Sequence, residues 1–195
     1  MPELVNWEAK YRNDETGWDR GGPNPALATW LAADALPHGR ALVPGCGRGH
    51  EVLVLAEAGW AVTAIDSAPS AVRALDERLN AQALAANVEQ VDLFDWTPAN
   101  GSFDLIYEQT CLCALPPKQW PAYVERLAQW LRPGGTLAAL FMQTGKSGGP
   151  PFDCPLDAMA KLFKAPVWEW DDTNELHSPH PVGLEERGIL LRRGT

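Results

Sequence analysis

A glycine-rich turn directly after a short apolar run is the feature that most constrains this chain. Residues 40–44 have the pattern of a buried strand, and Gly45, Gly47 and Gly49 follow at every second position before a helical pattern begins. Glycine allows a positive φ and a close approach of a ligand to the backbone, and the first turn of a helix has free N–H groups. This arrangement predicts that a small ligand binds over the turn.

An aspartate at the end of the next predicted strand adds to this signal. Asp66 lies 21 residues after Gly45, where a carboxylate can accept hydrogen bonds from the two hydroxyl groups of a ribose. The alternative is a tight turn and an aspartate that caps a helix, but strand, turn, helix, strand and acid occur together in the expected order. We therefore expect a nucleoside-containing cofactor. The sixth position of the turn is His50, where a dinucleotide site has glycine.

Short β-rich runs alternate with longer helical patterns along the chain. The predicted strands span residues 40–44, 61–66, 88–93, 103–108, 136–142, 167–172 and 188–193. The predicted helices span residues 49–58, 69–80, 118–131 and 155–164. This alternation predicts an α/β fold with a doubly wound, Rossmann-like, mostly parallel sheet of seven strands, whose last two strands form an antiparallel edge. We expect a single domain over residues 1–195, with an N-terminal segment at 1–37 and a core at 38–195.

The composition limits the classes of partner and cofactor. The chain of 195 residues has 16 Lys and Arg against 25 Asp and Glu and a formal charge of −9, so we expect no nucleic-acid partner. No apolar stretch approaches the roughly 18 residues of a membrane helix and no basic leader is visible, so we expect no membrane partner and a cytoplasmic location. The four cysteines predict neither a disulfide framework nor a metal site. We expect a monomer because no apolar element is left over.

Longer strings carry a resemblance over nearly the whole chain. They are Asn6-Trp7-Glu8, Gly17-Trp18-Asp19-Arg20-Gly21, Ala41-Leu42-Val43-Pro44-Gly45-Cys46-Gly47, Phe103-Asp104-Leu105-Ile106-Tyr107-Glu108 and Gly148-Gly149-Pro150-Pro151-Phe152. With the G-x-G-x-G turn, these strings resemble the thiopurine methyltransferase superfamily of class I S-adenosylmethionine-dependent methyltransferases, and within it the thiol and halide methyltransferases. The resemblance implies S-adenosyl-L-methionine as cofactor, S-adenosyl-L-homocysteine as product and a small-molecule methyl acceptor.

The resemblance also implies which residues hold the cofactor. Trp7, Tyr11 and Trp18 would form a lid over it, although the family often has Trp where Tyr11 stands. Aromatic faces stabilise a sulfonium by cation–π attraction on the order of 1–2 kcal/mol. The residues implied at the adenine are Asp92, Leu93 and Phe94.

Residues after the fourth predicted strand are candidates for the methyl-transfer end of the site. Glu108 ends this strand, at the rim where open α/β sheets bind ligands, and we interpret it as a cofactor-side or methyl-proximal residue and a possible catalytic one; the alternative is a surface carboxylate. We predict that Cys111, Cys113 and Phe152 line the acceptor pocket, because soft apolar walls suit a thiol, a thiopurine sulfur, a halide or a selenium or tellurium species. Transfer by in-line displacement needs no covalent enzyme intermediate, and no nearby His or Lys is seen that would activate a cysteine.

Three other functions stay open on the sequence alone. An NAD(P)-dependent oxidoreductase shares the fold and the glycine turn, although we find neither a catalytic Tyr-Lys pair nor a catalytic His. A catalytically inactive, nucleoside-binding regulator would keep the same motifs. An arsenite methyltransferase would use Cys111 and Cys113, but such sites usually need three thiolates. The motifs favour transfer of a methyl group to a small soft nucleophile.

Overall fold

The computed structural model describes residues 5–195, apart from the side chains of residues 172 and 174. The strands are β1 Arg40–Pro44, β2 Ala61–Asp66, β3 Asn87–Gln90, β4 Phe103–Gln109, β5 Leu131–Gln143, β6 Trp168–Pro179 and β7 Glu185–Arg193. The α-helices are α1 Trp7–Arg12, α2 Pro25–Ala32, α3 His50–Glu57, α4 Pro69–Ala81, α5 Trp120–Trp130 and α6 Leu156–Leu162. Short 3₁₀ turns span Leu112–Ala114 and Pro117–Gln119. None of the described helices has the length and apolar character needed to cross a membrane.

The seven strands form one sheet in the order β3-β2-β1-β4-β5-β7-β6. Strands β1 to β5 run parallel to one another, and β7 is antiparallel to both β5 and β6. The predicted fold class is therefore confirmed, including the antiparallel C-terminal edge. The strand order reverses between β1 and β4, and the carboxyl ends of the strands open a crevice at such a switch point.

Side chains alternate between the two faces of the sheet and divide the core into two layers. On β4, Leu105 and Tyr107 belong to the layer under helices α2, α3 and α4, whereas Ile106 belongs to the layer under α5 and α6. On β7, Leu190 lies in the first layer and Ile189 in the second. This period of two decides which residues at the strand ends face the crevice.

Several element bounds differ from the predicted ones for local reasons. Strand β3 ends at Gln90 because the Asp92 side chain accepts a hydrogen bond from the Phe94 amide at 2.7 Å, and this turn leads the chain out of the sheet. The predicted helix from residue 118 begins at Trp120, after the 3₁₀ turn. The final hairpin is longer than predicted because β6 and β7 pair over most of their length.

The N-terminal segment has two parts with different roles. Helix α2 belongs to the core, since Trp30 is buried and a Cβ atom at Gly188 would lie 3.0 Å from its ring. Helix α1 has no buried residue and packs against helix α4. The part of the predicted lid that covers the crevice is therefore α1 and the loop that follows it.

An ionic contact at the amino ends of the strands stabilises the fold, and its contribution to the free energy of unfolding can be measured. Asp104 accepts hydrogen bonds from the Arg40 amide at 2.8 Å and from Arg132 Nε at 2.6 Å. Burial raises the pKa of Asp104, but these hydrogen bonds outweigh it and the pKa lies below its usual value. We expect Asp104→Ala to lower the free energy of unfolding by about 1–2 kcal/mol in urea titrations at neutral pH.

The control is Asp157→Ala, which removes an exposed pair with Lys161 and should change the free energy of unfolding by less than about 0.5 kcal/mol. Because the folded-state pKa of Asp104 is lowered, its contribution is present above the unfolded-state pKa of about 4 and disappears as the pH falls through the folded-state value. An equal effect of both variants, or one that grows as the pH falls below 4, would contradict this account.

Candidate active site

The glycine turn after β1 has a backbone conformation that residues with a side chain rarely adopt. Gly45, Gly47 and Gly49 have φ values of 59°, 54° and 70°, in the left-handed region that favours glycine. A Cβ atom at Gly47 would lie 2.8 Å from the Tyr11 hydroxyl, on the crevice side of the turn. A Cβ atom at Gly49 would lie 2.2 Å from Leu75 of helix α4, so this glycine serves packing between helices.

Asp66 joins the glycine turn to the end of β2. Its Oδ2 atom accepts a hydrogen bond from the Gly47 amide at 2.9 Å, and Oδ1 accepts one from the Ala68 amide at 2.9 Å. Burial raises the pKa of Asp66, while these backbone hydrogen bonds oppose the rise. A carboxylate has about four acceptor positions, so Asp66 can hold the turn and still accept hydrogen bonds from ribose hydroxyls.

The three predicted lid aromatics come together above the glycine turn. The Trp18 ring lies between the other two, with its centroid 5.3 Å from that of Trp7 and 5.6 Å from that of Tyr11, both nearly perpendicular. The Tyr11 hydroxyl reaches Gly47, and burial raises its pKa far above the ordinary value. The lid therefore presents aromatic edges and faces to the site where the turn would hold a ligand.

Polar contacts hold the lid on the core at more than one point. Glu8 of helix α1 accepts hydrogen bonds from the Ser70 amide at 2.9 Å and from its hydroxyl at 2.8 Å. The Ser70 amide is one of the free N–H groups at the start of helix α4, whose own cap residue, Ala68, makes no side-chain hydrogen bond. Glu8 therefore caps α4 from another element, and its charge is favourable at this end of the helix.

A second contact fixes the residue after Trp18. Asp19 accepts from Arg48 at 3.0 Å and lies 2.9 Å from His50 Nε2. His50 Nδ1 faces an Arg78 guanidinium nitrogen at 3.1 Å, and because guanidinium has donors only, Nδ1 is the acceptor and Nε2 carries the proton. The lid is thus tied to the amino end of helix α3 as well as to that of α4.

The residues predicted at the adenine form a braced turn after β3. Asp92 is exposed, while Leu93 and Phe94 are partly buried against the core. Arg126 of helix α5 donates hydrogen bonds to the carbonyl oxygens of Phe94 and Trp96, and its guanidinium lies 5.9 Å from the Phe94 ring centroid. The amide of Val91 also donates to the Asp66 carbonyl at 3.0 Å. The turn and Asp66 therefore border the same end of the crevice.

Glu108, at the end of β4, faces away from the crevice lining. It shares the face of Ile106, and its Oε1 atom accepts a hydrogen bond from the Leu112 amide at 2.6 Å beneath the 3₁₀ turn. Burial raises its pKa to about 8. Its cofactor-side role stays a prediction, and the contact seen in the structure is with the backbone of the following loop.

The two predicted acceptor cysteines lie in the core layer under α5 and α6, which we call the rear layer. Cys111 sits behind the glycine turn, with its sulfur 2.9 Å from where a Cβ atom of Gly45 would be. Cys113 and Phe152 are brought together, because the Phe152 amide donates to the Cys113 carbonyl at 2.7 Å. Burial raises the pKa of both thiols, so they are protonated at neutral pH. Their acceptor role stays a prediction.

The crevice has a polar wall that sequence reasoning missed. The residues on this wall are Asp19, Arg20, Arg48, His50, Glu51, Gln109 and Thr110. Thr110 has a φ of 59° and directly follows β4.

Together with the lid and the turn, the wall encloses about 60 Å³, far less than the roughly 300–1,000 Å³ of a typical ligand pocket. With the lid in this position, the enclosed part of the crevice has room only for a small group. The sequence signal that could have identified Gln109 and Thr110 as wall residues is their position at the end of the predicted strand β4.

Comparison with known proteins decides between the functions that the fold allows. The family model described as Thiopurine S-methyltransferase (TPMT) matches residues 3–188. The chain belongs to the thiopurine S-methyltransferase family. It is 35% identical over 194 residues to probable thiol methyltransferase 2 of Arabidopsis thaliana, covering 97% of this chain and 85% of that protein. It is also 35% identical over 158 residues to thiocyanate methyltransferase 1 of Brassica oleracea, covering 78% and 70%.

A solved structure shares the fold of this thiopurine S-methyltransferase family member. It is the Burkholderia thailandensis 1,6-didemethyltoxoflavin-N1-methyltransferase with bound S-adenosylhomocysteine, which matches with a TM-score of 0.77 at 21% identity over 97% of this chain and 86% of that one. The predicted cofactor, S-adenosylmethionine, and the predicted class, a methyltransferase acting on small nucleophiles, are confirmed. The oxidoreductase alternative gains no support.

The residues of this family member fit the cofactor. Gly47 has no side chain between the turn and the Tyr11 hydroxyl of the lid, so a ligand held between lid and turn can approach the backbone there, and Asp66 keeps acceptor capacity beside it. Bound there, S-adenosylmethionine supplies an electrophilic methyl group on a positively charged sulfur. The rings around Trp18 can stabilise that charge, because a cation lying against an aromatic face is attracted by the π electrons.

The lid geometry predicts the effect of removing its central ring. Trp18→Ala should weaken S-adenosylmethionine binding about tenfold, because an aromatic contact with the sulfonium worth about 1.4 kcal/mol is lost. The dissociation constant is measured by calorimetric titration. Trp18→Phe keeps an aromatic face and should lose less. An unchanged dissociation constant for Trp18→Ala would exclude this ring from the site.

The Glu8 contact predicts an effect on the cofactor without a direct contact to it. Glu8→Ala removes both hydrogen bonds to Ser70, so the lid should close less often and S-adenosylmethionine should bind about threefold to tenfold more weakly. The control is Glu15→Ala, which removes an exposed carboxylate paired with Lys10. Equal dissociation constants for both variants and the unmodified chain would contradict the anchoring role of Glu8.

Proposed function

We propose that this methyltransferase transfers the methyl group of S-adenosylmethionine to a small thiol, hydrosulfide, halide or related soft nucleophile. The observation that carries the proposal is the site itself: an aromatic lid over a glycine turn, closing on a small crevice with a polar wall. The names of the plant relatives, thiol and thiocyanate methyltransferases, support the same acceptor class. A formal charge of −9 supports action on small molecules without a nucleic-acid partner.

The site residues keep their predicted roles within this proposal. Trp7, Tyr11 and Trp18 cover the sulfonium, and Asp66 accepts hydrogen bonds from the ribose. The turn at Asp92 borders the adenine. A cytoplasmic monomer without a membrane partner completes the proposal.

The chain's contribution to the reaction is mainly positional. In-line displacement requires the nucleophile to lie opposite the leaving sulfur, and holding two reactants in such a geometry lowers the barrier by up to about 7–11 kcal/mol. The lid excludes water from the crevice, which strengthens the electrostatic contacts inside it. Thiols have a pKa near 8.5 and are partly ionised at neutral pH, so no general base is required for such acceptors. The protonated state of Cys111 and Cys113 fits a reaction without a cysteine nucleophile.

The first test combines cofactor binding with an acceptor screen. We expect micromolar binding of S-adenosylmethionine and S-adenosylhomocysteine in calorimetry and no binding of NADH. The loaded enzyme should then form S-adenosylhomocysteine with hydrosulfide, iodide or a thiopurine as acceptor.

Asp66→Ala is the matched inactive variant, because it loses both the ribose acceptor and the contact to Gly47. Failure of the folded protein to bind either adenosyl ligand would favour the inactive regulator. Binding without turnover on any of these acceptors would contradict the soft-nucleophile proposal while leaving the cofactor assignment intact.

A further inference from the structure

A buried polar cluster lies at the end of the crevice away from Asp66. We call it the Arg20 cluster, and it consists of Arg20, Asn24, Gln109, Ser178 and Glu186. Its members come from the loop after the lid, from the end of β4 and from the β6–β7 hairpin. Three of them, Asn24, Ser178 and Glu186, are buried to about 1% exposure or less.

Glu186 is the centre of the Arg20 cluster. Its Oε2 atom accepts from Asn24 Nδ2 at 2.8 Å, and Gln109 Nε2 and Arg20 Nη1 both approach it at 3.4 Å. The Ser178 hydroxyl donates to the Asn24 side-chain oxygen at 2.7 Å and so fixes the amide that holds Glu186. Burial raises the pKa of Glu186 to about 7. A carboxylate in such a position is costly for the fold, which suggests that it serves the groups around it.

Arg20 and Gln109 are the members of the cluster that reach the crevice wall. The Arg20 side chain is 11% exposed, and its described contacts go to Ser178, Glu186 and the Pro179 carbonyl. A guanidinium has five N–H donors in a rigid fork, so donors remain for a ligand. The 3.4 Å contacts from Nη1 are long and can yield to a closer anion.

The other charges on the wall already have partners. Asp19 is paired with Arg48 and His50, and Glu51 accepts a hydrogen bond from the Asn24 amide at 2.9 Å. Arg20 is also paired, with Glu186 at 3.4 Å, but this contact is longer than the 3.0 Å contacts of Arg48 with Asp14 and Asp19. Arg20 is therefore the wall cation that an anion beside Gln109 can most readily engage. The Arg20 guanidinium and the Gln109 amide nitrogen both supply N–H donors, which is the chemistry that recognises an anion.

The strand order places this donor pair on the acceptor side of the crevice. Strands β2 and β3, with Asp66 and the adenine turn, lie on one side of β1, whereas β4 and β7 lie on the other. With the lid rings and the sulfonium above the glycine turn, the approach to the methyl group from the β4 side passes Gln109 and Arg20. This placement rests on the proposed function.

We propose that Arg20, with Gln109 beside it, binds the methyl acceptor as a small anion and makes the enzyme select anionic over neutral acceptors. Glu186 is a positioning residue that holds both donors and competes with the anion for the guanidinium. The acceptor class is thereby narrowed to thiolates, halides and similar small anions.

The test titrates thiocyanate into the protein loaded with S-adenosylhomocysteine, by calorimetry at about pH 8, where Glu186 is ionised. Arg20→Gln should weaken thiocyanate binding about tenfold or more, and Arg20→Lys, which keeps the charge, should lose less. The KM for iodide should rise in parallel. Arg192→Gln, which changes an exposed arginine near the end of β7 away from the crevice, is the matched control and should change neither value.

Glu186→Gln gives a second, independent readout. Because it keeps a hydrogen-bonding side chain but removes the competing charge, thiocyanate should bind about threefold more tightly, a gain that damage to the fold would not produce. Unchanged or weaker binding would contradict the role of Glu186.

A comparison of two adenosyl ligands shows whether Arg20 binds the acceptor anion or the carboxylate of the cofactor. S-Adenosylhomocysteine carries a carboxylate and 5′-methylthioadenosine does not. Arg20→Gln should leave the dissociation constants of both within about twofold. A selective loss for S-adenosylhomocysteine would assign Arg20 to the cofactor carboxylate and overturn the proposal, as would unchanged thiocyanate binding. If the unmodified protein binds no adenosyl ligand, the proposed function fails instead, whereas adenosyl binding without thiocyanate binding refutes this inference alone.

Discussion

The hydrogen bond from the Gly47 amide to the Asp66 carboxylate is the contact on which the cofactor end of the site depends. It joins the end of β2 to the turn after β1, so two strands that are neighbours in the sheet also share the geometry of their loops. The Asp66 side chain is half-buried and holds the start of helix α4 through the Ala68 amide. The turn, the acid and both helix ends therefore form one rigid unit, against which the lid closes.

The alternation of side chains along β4 divides the remaining candidates into two groups. Tyr107 and Gln109 face the crevice, whereas Glu108 faces the rear layer with Cys111 and Cys113. A strand places neighbours on opposite faces, so a shift of one residue changes a candidate ligand contact into a structural one. The rear layer supports the turn from behind, since Cys111 packs where a side chain at Gly45 would lie.

The sequence was sufficient for the features that depend on local pattern. The fold class, the glycine turn and Asp66 follow from short-range periodicity and spacing, and the lid aromatics follow from the resemblance. Which residues at the end of β4 face the crevice could not be predicted, because helices cover both faces of the sheet and the sequence does not show which face borders the crevice. Arg20 and Glu186 could not be paired either, since 166 positions separate them and their contact depends on the hairpin lying beside the N-terminal loop.

The lid loop is one continuous segment of the chain that reaches both ends of the crevice. Trp18 lies over the glycine turn, Asp19 is fixed to helix α3, and Arg20 reaches the hairpin of β6 and β7. Successive residues thus contact the cofactor side, the core and the acceptor side. A displacement of Trp18 large enough to admit the cofactor must also disturb Arg20, because consecutive Cα atoms are only about 3.8 Å apart. The position of Trp18 over the cofactor side and that of Arg20 in the proposed anion-binding wall are therefore mechanically linked through Asp19.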